Sequence, residues 1–425
     1  MTVPPLAPTL PPKRPGCFRV VHTSDWHLGK PLAELDRSEE HRRFLAFLLE
    51  TLIAADADAL VVAGDVFDCA TPPQAAVRLY FDFLAALYSR SRCVAVVTAG
   101  NHDSPSHLEA PRELLGVLRT RVAASFPEDP SALLIPLPSP EVPALVVAAV
   151  PFLRERDLRT GRLGQSAAEI ERDLREGVHR RYAEVAAAAG PWRARGVPML
   201  AMGHLTALGA SVTPESEREI HVGGLGSIGA DAFPEAFAYV ALGHLHRPQA
   251  VGGRPQVRYA GSPLALSFSE AADAKEVRLL DFEGGALVLN EGVPVPQARR
   301  LVRLRVPQVD LEVGLRAFEP PPSDLPPWVE VVVEKASPSG DLYKTVRDLV
   351  EGRPFEVVKV TVEREGARAG LALDDAWAEE AADELLADPK AVFRRRLDQE
   401  PDLDPAARAA LETAFAELCD RRLEG

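Results

Sequence analysis

The sequence has few cysteines and no long apolar segment. Its 4 cysteines, Cys17, Cys69, Cys93 and Cys419, include no CxxC pair. A chain of 425 residues with 46% hydrophobic residues can bury a large core, so disulfide bridges are not needed for its stability. The longest apolar stretch, around residues 142–153, is interrupted by prolines and is too short to cross a bilayer. We therefore expect a protein of the reducing cytoplasm that makes no membrane contact.

The sequence also has no excess of positively charged residues. The sequence has 48 lysines and arginines against 62 aspartates and glutamates, a formal net charge of −14. This balance argues against a protein that binds nucleic acid or a membrane surface by charge alone, although it does not exclude a local basic groove. The sequence also contains no P-loop, no coiled-coil heptads and no internal repeat.

Short apolar runs alternate with amphipathic helical patterns in the first two thirds of the chain. The runs that predict buried strands are 18–21, 59–63, 93–98, 145–150, 198–202 and 239–242. Apolar residues at helical spacing predict helices over 39–55 and 73–88. This alternation is typical of an α/β layered domain, which we place at residues 17–270.

The segments on either side of this domain have a different pattern. Residues 1–16 contain six prolines and no signal-peptide core, so we expect a disordered tail or a start-codon artefact. A hairpin over 275–290, strands at 328–334 and 355–362 and a helix at 341–350 predict an α+β accessory domain, 271–365. The remaining segment, 366–425, is predicted to be helical, with Asp404 as an N-cap before Pro405.

Five short polar motifs each follow a predicted buried strand directly. Their chemically active residues are Asp25 and His27, Asp65, Asn101 and His102, His204, and His244 and His246. Ligands of open α/β sheets bind beyond the carboxyl ends of the strands. We therefore expect these side chains to converge on one site.

The residue types at these strand ends predict a metal centre. Carboxylate and amide oxygens with neutral imidazoles suit Mn²⁺, Fe²⁺ or Zn²⁺, and the absence of a thiolate excludes a structural zinc–cysteine site. The number of ligands exceeds what one ion needs, and a carboxylate such as Asp65 can bridge two ions. The pattern therefore predicts a two-metal hydrolase that activates water for in-line attack on a phosphoryl group. His102 is predicted to donate a proton or hydrogen bond to the phosphate or the leaving oxygen.

The motifs together resemble the calcineurin-like metallophosphoesterase superfamily, with its DxH, GD, GNH, GH and GHxH pattern. Longer strings resemble the nuclease subunits of bacterial SbcCD complexes. They are HTSDWHLG at 22–29, VAGDVFD at 62–68, AGNHDS at 99–104, PFLRERD at 151–157, GHLT at 203–206, ALGHLHR at 241–247 and YAGSPL at 259–264. The resemblance implies a two-layered sandwich of β-sheets flanked by helices, followed by a small α+β capping domain and C-terminal helices.

The same resemblance implies roles for individual residues. It assigns one metal to Asp25, His27, Asp65 and His246, the other to Asp65, Asn101, His204 and His244, and the catalytic role to His102. The ions would be Mn²⁺, with Mg²⁺ or others as alternatives. The implied activities are ATP-dependent double-strand exonuclease and single-strand or hairpin endonuclease, in DNA recombination, replication and repair. The implied partners are DNA and an SMC-like ATPase of the SbcC type bound through the C-terminal helices, with a homodimer inside a heterotetramer.

Two other functions are weighed against this one. Phosphomonoesterases and protein phosphatases of the superfamily read GDxxDRG and then GNHE, whereas here Asp68 is followed by Cys69 and Ala70, and the third motif ends in Asp103. A DNA-end-binding scaffold with a structural metal would not need a proton donor such as His102. Both are less favoured than the nuclease.

Two sets of residues near the motifs keep two interpretations open. Asp68 and Asp103 could orient ligand histidines or make ordinary loop hydrogen bonds. The cluster Arg154, Arg156, Arg159 and Arg162 could contact DNA phosphates or form a solvated face, because acidic residues interrupt it.

Overall fold

A computed structural model describes residues 10–161, 164–207, 228–334 and 340–363, together with Arg408, Leu411 and Phe415. The chain divides into two compact units, residues 1–362 and 363–425. In the second unit, Arg408, Leu411 and Phe415 are helical. The rest of the predicted helical segment 366–425 lies outside the described residues, as do Arg162 and residues 1–9 of the predicted tail.

The described part of the chain contains strands that form three sheets. The strands are β1 Phe18–Thr23, β2 Ala59–Ala63, β3 Val94–Thr98, β4 Thr120–Ala123, β5 Leu134–Leu137, β6 Leu145–Ala148, β7 Met199–His204, β8 Tyr239–Gly243, β9 Gln249–Val251, β10 Arg254–Tyr259, β11 Glu276–Glu283, β12 Ala286–Pro294, β13 Arg299–Pro307, β14 Leu325–Glu334 and β15 Glu356–Glu363. The strand order is β12-β11-β1-β2-β3-β4 in the first sheet, β5-β6-β7-β8-β10-β9 in the second and β13-β14-β15 in the third.

Helices connect these strands. They are α1 Ser38–Ala54, α2 Gln74–Arg90, α3 Pro105–Glu109, α4 Arg112–Val117, α5 Glu155–Leu158, α6 Ala167–Ala188, α7 Gly190–Arg193, α8 Leu311–Ala317 and α9 Gly340–Val350. The helix α6 begins with a capping box in which the Ser166 amide donates to the Glu169 carboxylate over 2.8 Å and the Glu169 amide donates back to Oγ over 3.3 Å. No helix within the described ranges combines the length and the apolar character that crossing a membrane requires.

The first two sheets pack face to face as a sandwich covered by helices. Side chains alternate along each strand, so Val61 of β2 faces the layer between the sheets while Leu60 and Val62 face α1 and α2. The outer face of the second sheet is covered by α6, through Val178 and Tyr182. Because the central strands are buried on both faces, they read as continuous apolar runs in the sequence. The predicted sandwich of two sheets flanked by helices is confirmed.

The hairpin β11–β12 corrects one predicted boundary. The sequence predicts that it opens the accessory domain, but β11 pairs antiparallel with β1, with Phe282 opposite Phe18, and so extends the first sheet. The Arg19 guanidinium lies in a bidentate contact with the Asp281 carboxylate, at 2.7 Å for both Nε–Oδ1 and Nη2–Oδ2. The sandwich therefore continues to Pro294 rather than ending at residue 270.

The predicted tail is also shorter than expected. Leu10 packs against the core beneath α1 and α2. Lys13 Nζ donates to the Asp58 carboxylate over 2.9 Å, and the Pro11 carbonyl accepts from Arg19 Nη1 over 2.9 Å. The prediction of disorder is therefore wrong for residues 10–16, because these contacts tie them to the sandwich.

The third sheet forms the accessory part of the first unit. Its strands β13 and β14 run parallel, and Val329, Val331 and Val333 of β14 face the helices α8 and α9. The opposite face of β14 carries Glu330, which accepts from Arg303 Nε over 2.5 Å. This part is an α+β arrangement, with two helices on one face of a three-stranded sheet.

A small apolar cluster joins the accessory part to the sandwich. It brings Phe268, in the turn that precedes β11, together with Leu301 of β13 and Trp328 of β14. The Arg299 guanidinium lies 4.2 Å from the centre of the Trp328 ring, and its Nε donates to the Glu40 carboxylate of α1 over 2.8 Å. A cation–π contact and an ion pair thus flank the apolar contact at this seam.

Candidate metal centre

The ends of strands from both sheets of the sandwich meet at one buried cluster. The strands β1, β2 and β3 are parallel neighbours in the first sheet, as β7 and β8 are in the second, so their carboxyl ends lie at the same edge. Three groups of side chains at this edge have possible ligand atoms within 4.8 Å of one another. They are Asp25, His27 and His246; His27, Asp65 and His102; and Asp25, Asp65 and His204.

Asp65 occupies the centre of this cluster. Its Oδ2 lies 3.5 Å from His27 Nε2 on one side and 3.3 Å from His204 Nε2 on the other. Its Oδ1 accepts the backbone N–H of His102 over 2.9 Å, which fixes the carboxylate plane. One carboxylate oxygen is therefore positioned between two imidazoles that come from different sheets.

The imidazoles are oriented by hydrogen bonds to one of their two nitrogens. His27 Nδ1 lies 3.1 Å from the Asp68 carboxylate, and His204 Nδ1 lies 3.0 Å from the Ala63 carbonyl. When Nδ1–H donates to an oxygen, the neutral ring presents an Nε2 lone pair to the cluster. This is the tautomer that a metal ligand needs.

The remaining nitrogen of His27 shows that these residues fit a metal ion. His27 is 1% exposed, and its Nε2 has no hydrogen-bond partner among the described residues. A buried polar atom without a partner costs free energy unless a ligand satisfies it. Because it faces the carboxylates of Asp25 and Asp65, the partner that this chemistry suits is a divalent cation.

The backbone at the cluster adopts conformations that side chains disfavour. Asp25, His27, Asp65 and His244 have φ angles of 52°, 44°, 50° and 103°. Left-handed backbone is uncommon in residues other than glycine and concentrates at functional sites. Here the positive φ angles occur just after β1, β2 and β8 end, at the polar residues of the cluster.

Glycines precede several of the predicted ligand residues, at positions where the packing leaves no room for a side chain. A Cβ on Gly100 would overlap the Asp65 carboxylate, and one on Gly64 would overlap the His204 ring. Gly64 also has a φ angle of 83°. Gly64 therefore lets the end of β2 approach the His204 ring, and Gly100 lets the end of β3 approach the Asp65 carboxylate.

Electrostatics in the cluster favour a cation. Burial raises the pKa of Asp25 to about 7, and the nearby Asp65 carboxylate adds to this effect. Burial would likewise raise the pKa of Asp65, but the His204 and His27 rings hold that pKa well below its usual range. Burial would lower the pKa of His204, but the Asp65 carboxylate raises it to about 9. Without a metal, protons therefore compensate the buried carboxylates.

The structure also brings the other predicted ligands to the cluster. Asn101 Oδ1 lies 2.8 Å from His204 Nε2, so both atoms point to the same place. The His244 ring lies 5.5 Å from the His204 ring, and the backbone N–H of His244 donates to Asp25 Oδ1 over 2.9 Å. The His246 ring lies 5.2 Å from the His27 ring.

His102 lies at the edge of the cluster. Its ring is 4.8 Å from that of His27, and its Nδ1 lies 2.7 Å from the Asp68 backbone carbonyl. With Nδ1–H donating to this carbonyl, the lone pair of the neutral ring is on Nε2. His102 is the most exposed histidine of the cluster at 9%, which suits a group that meets substrate.

The two aspartates beside the motifs have different contacts. Asp68 contacts the His27 ring and also accepts from Lys30 Nζ over 2.9 Å, so it can orient a ligand histidine. Asp103 instead accepts from the backbone N–H groups of Val66, Phe67 and Gly100, over 2.9–3.1 Å. These hydrogen bonds join the loops that follow β2 and β3. Of the two interpretations of the sequence, the contacts of Asp103 match ordinary loop hydrogen bonds.

The arginines proposed as DNA contacts that the structure describes differ in exposure. They follow Phe152, whose ring lies 6.3 Å from the His204 ring. The Arg156 side chain is 74% exposed, whereas that of Arg159 is 11% exposed and is held by Glu155 and by Gln165 Oε1. Arg154 is the N-cap of α5. Arg156 is therefore available for a phosphate contact, and Arg159 is engaged within the chain.

Glu270 is a residue of the site that the sequence did not reveal. Its Oε1 lies 3.0 Å from His246 Nδ1, and its Oε2 accepts from Lys275 Nζ over 2.5 Å. It lies in a short turn, Phe268–Glu270, where neither strand nor helix periodicity applies. The YAGSPL string that ends six residues earlier was the only nearby signal.

Comparison with known families agrees with this arrangement. A profile described as calcineurin-like phosphoesterase matches residues 18–144, which include the strand ends of β1, β2 and β3. A second profile, described as type 5 capsule protein repressor C-terminal domain, matches residues 297–401 and begins just before β13. The first profile thus matches the first part of the sandwich, and the second begins at the accessory part.

Curated relatives match most of the chain. SbcD of the SbcCD nuclease of Escherichia coli K12 is 36% identical over 400 residues, covering 94% of this chain and 97% of that protein. The protein of the same name in Rhodobacter capsulatus is 36% identical over 374 residues, covering 84% of this chain and 90% of its own length. The Bacillus subtilis protein of this name is 35% identical over 287 residues, 67% of this chain and 72% of that protein.

Proposed function

The chain belongs to the SbcD family of SbcCD nucleases, and we propose that it is a metal-dependent DNA nuclease that hydrolyses phosphodiesters at a two-metal centre. The observation that carries this proposal is the position of Asp65. One carboxylate oxygen lies 3.5 Å from an imidazole nitrogen of the first sheet and 3.3 Å from one of the second, which supports a role as a bridging ligand.

The ligands divide between the two sides of Asp65. We propose that one ion binds Asp25, His27, Asp65 and His246, and the other Asp65, Asn101, His204 and His244. The short distances within Asp25, His27 and His246 support the first set, and the 2.8 Å separation of Asn101 Oδ1 from His204 Nε2 supports the second. The chemistry that divalent ions supply in such a centre is activation of water and neutralisation of the phosphoryl oxygens.

His102 is the proposed proton donor. Its Nδ1–H donates to the Asp68 carbonyl, so the proton to be transferred sits on Nε2. A ring held in this way can give that proton to the leaving oxygen without changing its orientation. A possible ligand nitrogen of His102 lies within 4.8 Å of possible ligand atoms of His27 and Asp65, which supports this role.

The finer features of the function follow from the family. We propose Mn²⁺ as the metal, ATP-dependent double-strand exonuclease action with an SbcC-type ATPase, and endonuclease action on single strands and hairpins. The partner would bind the C-terminal segment 366–425, and the protein would act as a homodimer in DNA recombination, replication and repair. Cytoplasmic location accords with the free thiols of Cys17, Cys69 and Cys93.

The direct test is cleavage of a labelled hairpin oligonucleotide by the purified protein with Mn²⁺. Asp65→Ala should abolish cleavage, and His102→Asn should abolish it while leaving metal and DNA binding intact. Asp82→Ala, which removes an exposed carboxylate of α2, is the matched control and should cleave as the wild type does. An aryl phosphomonoester is assayed in parallel, with and without the ATPase partner and ATP.

Three outcomes would contradict the proposal. Turnover of the monoester without cleavage of DNA would indicate a phosphatase. Full activity in Asp65→Ala would remove this cluster from the reaction. Binding of DNA ends with no cleavage, even with the ATPase and ATP present, would indicate a scaffold.

A further inference from the structure

A second charged cluster lies directly behind one of the proposed metal ligands. It consists of Glu270 and Lys275, which are 0% and 4% exposed, and the side chain of Ser262, which is 0% exposed. A buried ion pair alone contributes little to stability, because desolvation of the two charges offsets their attraction. Its arrangement around His246 therefore calls for an explanation other than stability.

The carboxylate of Glu270 has a full set of partners. Its Oε1 faces His246 Nδ1 at 3.0 Å. Its Oε2 accepts from Lys275 Nζ over 2.5 Å, from the Leu266 backbone N–H over 3.1 Å and from Ser262 Oγ over 3.3 Å. Because Oε2 makes the contacts with Lys275, Leu266 and Ser262, Oε1 is held in place to accept from the imidazole.

Lys275 contacts the main chain of His246. Its Nζ donates to the His246 carbonyl over 3.0 Å and to Ser262 Oγ over 2.9 Å, in addition to Glu270. The ion pair therefore contacts His246 at two points: the Glu270 carboxylate contacts the ring and the Lys275 ammonium contacts the backbone carbonyl. This fixes the ring in position and in rotation about its side-chain bonds.

We propose that Glu270, anchored by Lys275, is the positioning residue that fixes His246 as a metal ligand. Acceptance of the Nδ1–H by Oε1 selects the tautomer with its lone pair on Nε2 and increases the basicity of that nitrogen. His246 has a possible ligand nitrogen within 4.8 Å of possible ligand atoms of Asp25 and His27. Because its Nδ1 faces Glu270, Nε2 is the nitrogen left for the metal. This inference rests on the proposed function, because it takes His246 to be a ligand.

The test replaces the buried pair without leaving a lone charge. Glu270→Leu/Lys275→Met substitutes apolar side chains of similar volume and removes the acceptor of His246. Glu270→Gln/Lys275→Met also removes both charges but keeps an amide oxygen that can accept from Nδ1. Mn²⁺ binding to each DNA-free protein is measured by titration calorimetry and by electron paramagnetic resonance of free Mn²⁺.

We expect the Leu/Met variant to bind Mn²⁺ about 10- to 100-fold more weakly than the wild type, and the Gln/Met variant to recover most of this loss. In a His246→Ala background, the Leu/Met change should cause no further loss. The matched control is Arg19→Met/Asp281→Leu, which replaces another buried pair at the far end of β1 and should leave Mn²⁺ affinity unchanged.

The outcomes separate this inference from the proposed function. Equal Mn²⁺ affinity in the wild type and in the folded Leu/Met variant, with a loss in His246→Ala, would overturn the role of Glu270 alone. An equal loss in the Leu/Met and Gln/Met variants would show that the charge, not the acceptor, matters, and would also overturn it. Unchanged Mn²⁺ binding in His246→Ala would instead overturn the proposed ligand set.

Discussion

His22 is a buried histidine that should make the protein less stable in acid. It lies on β1 at 0% exposure, in the layer between the two sheets, and its Nδ1 is 3.1 Å from the Tyr239 hydroxyl of β8. Burial, with a smaller contribution from the Arg278 guanidinium, lowers the pKa of His22 to about 3. In the unfolded chain the same ring has the ordinary histidine pKa, about 6.5.

Acid lowers the free energy of unfolding because the unfolded chain binds a proton on His22 more readily than the folded protein does. Between the two pKa values, the unfolded chain carries a proton on His22 that the folded protein does not. The free energy of unfolding is therefore unaffected above about pH 6.5 and falls as the pH drops below that value, by about 1.4 kcal/mol per pH unit. At pH 5 the loss from this one residue is about 2 kcal/mol, a large part of the stability of an ordinary domain.

The measurement is urea unfolding of the wild type and of His22→Asn from pH 7.5 to pH 5. Asn keeps a polar group near the position of Nδ1 but does not titrate, so the variant should lose about 2 kcal/mol less than the wild type over this range. His107→Asn, at an exposed position on α3, is the matched control and should follow the wild type. Parallel pH profiles for the wild type and His22→Asn would refute the reasoning.

Three further predictions concern the core, the site and the seam. Asp281→Ala leaves the Arg19 guanidinium buried without its partner and should lower the free energy of unfolding by about 3–5 kcal/mol, measured with urea. Gly100→Ala inserts a methyl group into the Asp65 carboxylate and should lower Mn²⁺ affinity by at least about tenfold, measured by calorimetry. Trp328→Ala removes the apolar contact and the cation–π contact at the seam, so limited proteolysis between β12 and β13 should become several-fold faster.

Each of these predictions has a control at an exposed or open position. Asp82→Ala should leave urea unfolding unchanged, Gly190→Ala meets nothing within 4 Å and should keep Mn²⁺ affinity, and Tyr343→Ala, at 46% exposure, should not alter proteolysis. A loss of less than about 1 kcal/mol in Asp281→Ala, the range of an exposed pair, would contradict the predicted cost of leaving Arg19 unpaired. Wild-type Mn²⁺ affinity in Gly100→Ala would contradict the second prediction, and proteolysis of Trp328→Ala at the wild-type rate would contradict the third.

Several features could be predicted from the sequence because they depend on local pattern and strand topology. The ends of parallel strands share one sheet edge, so Asp25, Asp65 and His204 could be expected to meet although they are far apart in the chain. The apolar rows that predict helices at 39–55 and 73–88 correspond to α1 and α2, within two residues at each end. Periodicity and the strand-end rule are sufficient in both cases.

Other features depend on partners that a local pattern does not encode. The residues at 275–290 predict a hairpin, but nothing in them indicates that it pairs with β1, more than 250 positions earlier. Glu270 lies in an irregular turn and acquires its role only through the three-dimensional approach of His246 and Lys275. For Asp103, only the positions of three backbone N–H groups distinguish a loop contact from the orientation of a histidine.

The late return of β11 to the first sheet has a consequence for the order of folding. One edge of β1 can pair with β2 as soon as residue 63 has been synthesised, but its other edge must wait for residues 276–283. Throughout that interval β1 is an apolar edge strand with unpaired backbone groups, the kind of surface that promotes aggregation. Pairing over such a sequence separation is also slow. Completion of the first sheet is therefore the step at which we expect nascent chains to depend most on chaperones.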